Sequence, residues 1–201
     1  MKTIRLGVTG GIGSGKSVVC NLLRLYGIPV FDADREAKNL NDSSPVIREK
    51  LIGCFGPDLY RNDRLDRKML AELIFNNEEN LRMANAIIHP ELARAFGEWA
   101  AERNGHPLVA IDAALLFEAG FQSMLDRTVT VVAPLETPIE RVVKRDNLSP
   151  DQITARANCQ LSDERKAELA DFVILNDGRH SLLEQVDEIL RTLLGRFKNL
   201  I

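Results

Sequence analysis

Thr9-Gly10-Gly11-Ile12-Gly13-Ser14-Gly15-Lys16-Ser17 decides how the rest of the chain is read. From Gly10 onward it fits the phosphate-loop pattern G-x-x-x-x-G-K-[ST] at every fixed position. Ile4-Arg5-Leu6-Gly7-Val8-Thr9 ahead of it reads as a short buried strand. Behind it, Val18, Val19, Leu22, Leu23 and Tyr26 recur at helical spacing. The glycines let the backbone turn tightly and approach a ligand without Cβ clashes. Successive N–H groups then form a nest for phosphate oxygens, and the helix start adds unpaired N–H groups and the positive end of its dipole. Lys16 is placed to reach β- and γ-phosphates, and the Ser17 hydroxyl to ligate Mg²⁺. The motif speaks of nucleoside-triphosphate phosphates. It does not name an acceptor.

The surroundings narrow the class. The chain has 201 residues and can bury roughly 70% of its unfolded surface without staples. A formal net charge of −3 disfavours a general nucleic-acid surface. Cys20, Cys54 and Cys159 are odd in number and far apart, so neither disulfides nor a zinc site is expected, and a reducing, cytoplasmic setting fits. No apolar run reaches membrane-spanning length, and the N-terminus does not read as a signal peptide.

Taken in order, Gly27 caps the first helix and Ile28-Pro29-Val30-Phe31 reads as a second strand, ending in Asp32-Ala33-Asp34. Two carboxylates past the C-terminal end of a parallel strand lie where open α/β sheets place ligands. One suits Mg²⁺ and the other an attacking hydroxyl's proton, or the pair is a helix N-cap plus a solvated acid. Residues 35–104 read as helical and charged, too long for one crossover: an inserted helical lobe for a bulky acceptor. Within it Ser44-Pro45 and Asp66 start helices, Phe55 to Asp58 turn, and Pro90 after His89 suits a first helical position. His89 is an N-cap, a core imidazole or a ligand contact.

Leu108–Asp112 is a third strand ending in an acid. With Ala113 following, it does not match a water-activating ATPase motif. Thr128–Ala133 and Asp171–Leu175 are the fourth and fifth strands. Between them Thr137-Pro138 and Ser149–Gln152 open two helices, and Arg141 and Arg145 share one helical face. Their planar forks suit phosphate oxygens, or the helices are simply solvated. Asn176-Asp177-Gly178 ends the fifth strand near the expected nucleotide, and Leu182 to Phe197 forms an amphipathic closing helix.

Together these pieces resemble the dephospho-coenzyme A kinases over nearly the whole chain. The resemblance rests on T-G-G-I-G-S-G-K-S at 9–17, D-A-D at 32–34, H-P at 89–90, L-L-F-E at 115–118, R-x-x-x-R-D at 141–146 and N-x-G at 176–178. It implies ATP-dependent phosphorylation of the ribose 3′-hydroxyl of dephospho-CoA, the last step of CoA synthesis. By it, Gly11, Ile12, Gly13, Ser14, Gly15, Lys16, Ser17 and Val18 cradle ATP, helped by Arg145, Asn176 and Gly178. Asp34 is the favoured base, with Asp32, Lys16 and Arg141 catalytic. Asp34, His89, Leu115 and Glu118 meet the acceptor, and Ser17 and Asp32 hold Mg²⁺. Val18 stands where Thr often follows the phosphate-loop Ser. Ala114 stands where Pro usually precedes L-L-x-E, an exchange expected to loosen that loop.

The expected fold is three-layer α/β/α with a five-stranded parallel sheet. A core of 1–34, 106–136 and 166–201 carries an acceptor lobe at 35–105 and a small helical lid at 137–165. The expected assembly is a monomer or weak homo-oligomer, with ATP and dephospho-CoA as partners and neither nucleic acid nor membrane. A nucleoside-monophosphate or shikimate-type kinase is disfavoured by the inserted lobe, H-P and D-A-D. A GTP switch is disfavoured by the lack of an N-K-x-D motif.

Overall fold

The structure, a computed structural model, describes residues 2–75, 77–134 and 160–195. By contacts the chain divides into two compact units, Met1–Asp32 with Ala100–Ile201, and Ala33–Trp99.

The first unit is built on five parallel strands: β1 (Ile4–Gly10), β2 (Val30–Asp32), β5 (Leu108–Asp112), β6 (Arg127–Val132) and β7 (Phe172–Leu175). They lie in the order β2-β5-β1-β6-β7. The strand after the first helix is thus not β1's neighbour. β5 and β6 flank β1, and the chain reverses its lateral direction at the C-terminal end of β1, where such sheets bind ligands. Period-2 alternation sorts the residues of β1. Leu6 and Val8 enter a core with Leu108, Ala110, Val129, Val131 and Ile174 from neighbouring strands. Helices α1 (Lys16–Leu25) and α7 (Leu182–Leu194) close that face with Val19, Cys20 and Leu23, and with Val186, Ile189 and Leu190. Gly7 and Thr9 therefore face the other side, where the Ala114–Met124 segment and helix α6 (Asp163–Leu169) lie. The end of α1 is wound shut by two bonds, Gly27 N–H to the Arg24 carbonyl at 2.9 Å and Ile28 N–H to the Leu23 carbonyl at 3.0 Å.

The second unit holds α2 (Ala33–Ser43), α3 (Pro45–Phe55), β3 (Tyr60–Arg61), β4 (Arg64–Leu65), α4 (Arg67–Phe75) and most of α5 (Glu78–Ala101). Ser44 caps α3 by accepting the Ile47 N–H at 3.3 Å, and Asp66 accepts the Met69 N–H at 3.0 Å at the start of α4. Ile47, Leu51, Leu59, Tyr60, Leu65, Leu70, Ala84 and Ile87 form its core.

Two expectations are corrected here. The lobe is not wholly helical: β3 and β4 form an antiparallel hairpin. Asn62 and Asp63 turn it with φ of 49° and 61°, the pair of left-handed residues that a type I′ turn requires. Asp42 holds this hairpin, accepting the Leu65 N–H at 3.1 Å and the Arg67 guanidinium at 2.5 Å. Nor does Pro90 start a helix. It sits inside the 24-residue α5, where it has no N–H to return to the carbonyl of Ala86. Burial of Ala84 and Ile87 before it and Leu92 and Phe96 after it keeps both halves of α5 in place at the cost of that bond. The start of α5 is instead set by Asn77, whose side chain accepts the N–H groups of Glu79 and Asn80 at 3.1 and 3.0 Å.

Thr137-Pro138, Ser149–Gln152, Arg141, Arg145, Cys159 and Phe197 lie outside the described residues. Among the described residues no helix is long and apolar enough to cross a membrane.

Candidate active site

The glycine loop joins β1 to α1 at the C-terminal edge of the sheet. It makes the left-handed turn that only glycine accepts cheaply at Gly15, where φ is 96°. A Cβ at Gly15 would also collide with the Asn176 amide. Gly15 is the N-cap of α1, no side chain caps the helix there, and its first turn holds no acid. The N–H groups that open α1 are thus offered to an anion from outside the protein, with the dipole aligned to attract it. Ser14 is buried, and its hydroxyl has no hydrogen-bond partner among the described residues. Ser17 and Val18 are exposed on the first turn.

Lys16 pairs with Asp112, and both side chains are largely buried, 15% and 13% exposed. Asp112 was not assigned a role from the sequence. Its place follows from the ladder: it ends β5, opposite Val8 of β1 on one side and Asp32 of β2 on the other. Paired residues on adjacent parallel strands point to one face, so the side chains of Asp32 and Asp112 share one face at the C-terminal end of the sheet. Cys20, one turn beyond Lys16, completes this cluster. Burial, reinforced by the Asp112 carboxylate, pushes its thiol far up, leaving it protonated and inert. Asp34 lies two residues past the end of β2, in the first turn of α2, and by contacts belongs to the second unit.

Two further residues that sequence reasoning missed lie on α6. Asp163 Oδ1 accepts the Gly11 N–H at 3.1 Å. Burial raises the pKa of this carboxyl. Lys166 is fully buried: its Nζ donates to the Ala114 carbonyl at 3.0 Å and lies 3.6 Å from Glu118 Oε1. Burial also pulls the pKa of this ammonium down. The Ala114 carbonyl takes a second donor, Thr9 Oγ1, at 3.3 Å. The loop after β5 is thus held by the carbonyl of the residue that replaces proline. Glu118, expected to meet the acceptor, here receives the Leu161 N–H at 2.6 Å. Leu115 is half-buried in the same segment.

Asn176 follows β7 and donates through Nδ2 to the Ser14 carbonyl at 2.8 Å, so in this structure it supports the loop's backbone. Gly178 lies in the exposed turn behind it. His89 sits within α5 of the second unit, where burial lowers its pKa from 6.5 and favours the neutral ring.

The sequence matches the model of the CoaE dephospho-CoA kinase family over residues 4–181. It is 44% identical over 200 residues to the dephospho-CoA kinase of Porphyromonas gingivalis, covering 98% of this chain and 97% of that protein. To the dephospho-CoA kinase of Bacteroides fragilis (strain YCH46) it is 41% identical over 187 residues, covering 93% and 91%. Among solved structures it resembles TT1252 from Thermus thermophilus with a TM-score of 0.84 at 37% identity, covering 98% and 100%. The dephospho-CoA kinase from Campylobacter jejuni superposes with a TM-score of 0.67 at 26% identity, covering 94% and 96%. A shikimate kinase from Acinetobacter baumannii shares the fold alone, with a TM-score of 0.54 at 16% identity over 98% and 96%. The chain belongs to the dephospho-CoA kinase family.

Proposed function

We propose that this chain transfers the γ-phosphoryl group of ATP to the ribose 3′-hydroxyl of dephospho-CoA, giving CoA and ADP, the final step of coenzyme A synthesis. The observation that carries the proposal is the uncapped start of α1, with Lys16 held at its mouth by Asp112. Backbone N–H groups of Gly13, Gly15, Lys16 and Ser17 receive the β- and γ-phosphates, those of Ser14 and Val18 being bonded to the Gly11 and Gly15 carbonyls. Lys16 then exchanges Asp112 for phosphate oxygen, moving its charge to where negative charge builds up during transfer.

The residues fit Mg²⁺ by donor chemistry. Mg²⁺ takes hard oxygen ligands, and it is usually held by one or two protein groups plus phosphates and water. Ser17 and Asp32 are such a pair, and Asp112 shares a sheet face with Asp32. Among the described residues no group of three His, Cys, Asp or Glu side chains forms an all-protein cage. When bound, the ion supplies charge neutralisation at the phosphate oxygens. Asp34, past the strand end in the first turn of α2, is assigned as the base that takes the 3′-hydroxyl proton. Arg141 and Arg145 lie outside the described residues and enter as phosphate ligands from their sequence alone. Residues 35–104, with His89, are assigned to the acceptor.

An ATP-consumption assay with dephospho-CoA, AMP, shikimate or no acceptor tests this. ADP release is expected with dephospho-CoA alone, with a 3′-phosphate on the product. Equal turnover with AMP or shikimate, or without acceptor, refutes the assignment.

A further inference from the structure

The transfer described above leaves α6 unused, yet α6 touches the phosphate loop through one acid and the loop after β5 through one ammonium. Asp163 and Lys166 are three residues apart and so lie on one side of that helix. Asp163 Oδ1 takes the Gly11 N–H at 3.1 Å, and a Cβ at Gly11 would come within 2.5 Å of the same oxygen. Lys166 Nζ, without any solvent exposure, is seated 3.0 Å from the Ala114 carbonyl and 3.6 Å from Glu118 Oε1. Glu118 in turn fixes Leu161, two residues ahead of Asp163, at 2.6 Å.

A glycine-rich loop has few side chains with which to fix its own peptide planes. In this one Ser14 N–H bonds the Gly11 carbonyl at 3.1 Å, and Asn176 holds the Ser14 carbonyl at 2.8 Å. Asp163 holds the Gly11 N–H. A carboxylate beside a polyphosphate site is electrostatically costly unless a cation offsets it, and Lys166 is close enough to act on Asp163.

We propose that Asp163 and Lys166 are positioning residues for the phosphate loop. Asp163 fixes the Gly11 peptide so that the N–H groups after it converge on ATP phosphates. Lys166, clamped between Ala114 and Glu118, fixes the helix that carries Asp163. The inference rests on the proposed use of the loop for ATP, and it adds two residues to the loop's machinery.

The test titrates ATP, without acceptor, against wild type, Asp163→Ala and Asp163→Asn by calorimetry. KM values for ATP and dephospho-CoA are measured in parallel. Asparagine keeps an acceptor oxygen and loses the charge. Asp163→Ala should weaken ATP binding about tenfold or more, the usual worth of a hydrogen bond to a charged group. Asp163→Asn should stay within about threefold of wild type, since the acceptor survives. KM for dephospho-CoA at saturating ATP should not move in either. The Gly11 amide proton resonance should shift upfield in Asp163→Ala and hold in Asp163→Asn, which reads the bond directly even if the alanine variant is destabilised. Unchanged ATP binding by Asp163→Ala, an asparagine variant as impaired as alanine, or a parallel rise in KM for dephospho-CoA overturns the proposal. Wild type that binds no ATP refutes the proposed function as well; wild type that binds while Asp163→Ala is unmoved refutes this inference alone.

Discussion

Lys166→Met removes one charge from the interior and nearly nothing of its volume. At 3.6 Å from Glu118 Oε1, the gross attraction is about 5 kcal/mol at an effective dielectric of about 20. Desolvation opposes it, which is why the pKa of this ammonium falls below 10.5 despite two nearby carboxylates. The intact pair is therefore not a large net source of stability. Breaking it is another matter. Glu118 would keep its charge with Oε2 already buried and without a hydrogen-bond partner among the described residues, and the Ala114 carbonyl would lose one of its two donors. Removing one member of a buried pair costs about 3–5 kcal/mol. For a chain of this size that lowers Tm by about 6–20 °C, at about 2–4 °C per kcal/mol. Lys166→Met combined with Glu118→Gln removes the stranded charge while the glutamine carbonyl still accepts the Leu161 N–H, so it should recover at least about half of the loss. The alkaline limb adds a sign. Between the depressed folded value and 10.5 the unfolded chain binds more protons, so wild-type stability rises with pH there, and in Lys166→Met that rise should vanish. Calorimetric or urea unfolding of the three proteins measures all of this. A single variant that melts within about 2 °C of wild type, or a double variant no better than the single, would show that Lys166 and Glu118 do not compensate one another.

Lys16→Ala should lower turnover by about a hundredfold or more, as loss of a preorganised donor does, while the far-ultraviolet spectrum stays native. Asp34→Asn should depress kcat with ATP affinity kept, whereas Asp32→Asn should raise the Mg²⁺ requirement; kcat and Mg²⁺ titrations of both check this, and the reverse pattern exchanges the two roles. Burial lowers the pKa of His89 from 6.5, so the unfolded chain takes up its proton first and stability should fall as pH drops through and below 6.5. His89→Gln should flatten that fall, measured as urea midpoints at about pH 5 and about pH 7.5.

How far the sequence could be read follows from where each residue's partners lie. The parallel strands were legible because Leu108 to Ile111 is a short apolar run and Thr128 to Val132 is β-branched throughout, as suits strands buried on both faces. The phosphate loop was legible because its glycines, Lys16 and Ser17 are contiguous, although the partners that hold them, Asp163, Asp112 and Asn176, lie far along the chain. The β3–β4 hairpin was missed because two-residue strands show no alternation; its signal was Asn62-Asp63, a dipeptide suited to a type I′ turn. Pro90 misled because propensity argues for a helix start, while packing of the residues around it overrode the loss of one bond. Asp112 carried a visible cue, an acid ending a strand, but the partner that gives it meaning is Lys16, 96 positions away in sequence. Lys166 carried almost none. Within Asp163-Glu164-Arg165-Lys166-Ala167-Glu168 it reads as one more solvated charge, and only an acceptor 52 positions away makes it a buried one. A lysine in a charge run is interior when the fold supplies a carbonyl and a carboxylate at the depth its four methylenes reach. Here β5 ends, and Ala114 and Glu118 follow, at that depth beneath α6. The cue that could have been used is therefore joint: an acid and a lysine three apart behind a Ser cap, in a chain that also carries L-L-x-E after an acid-ended strand.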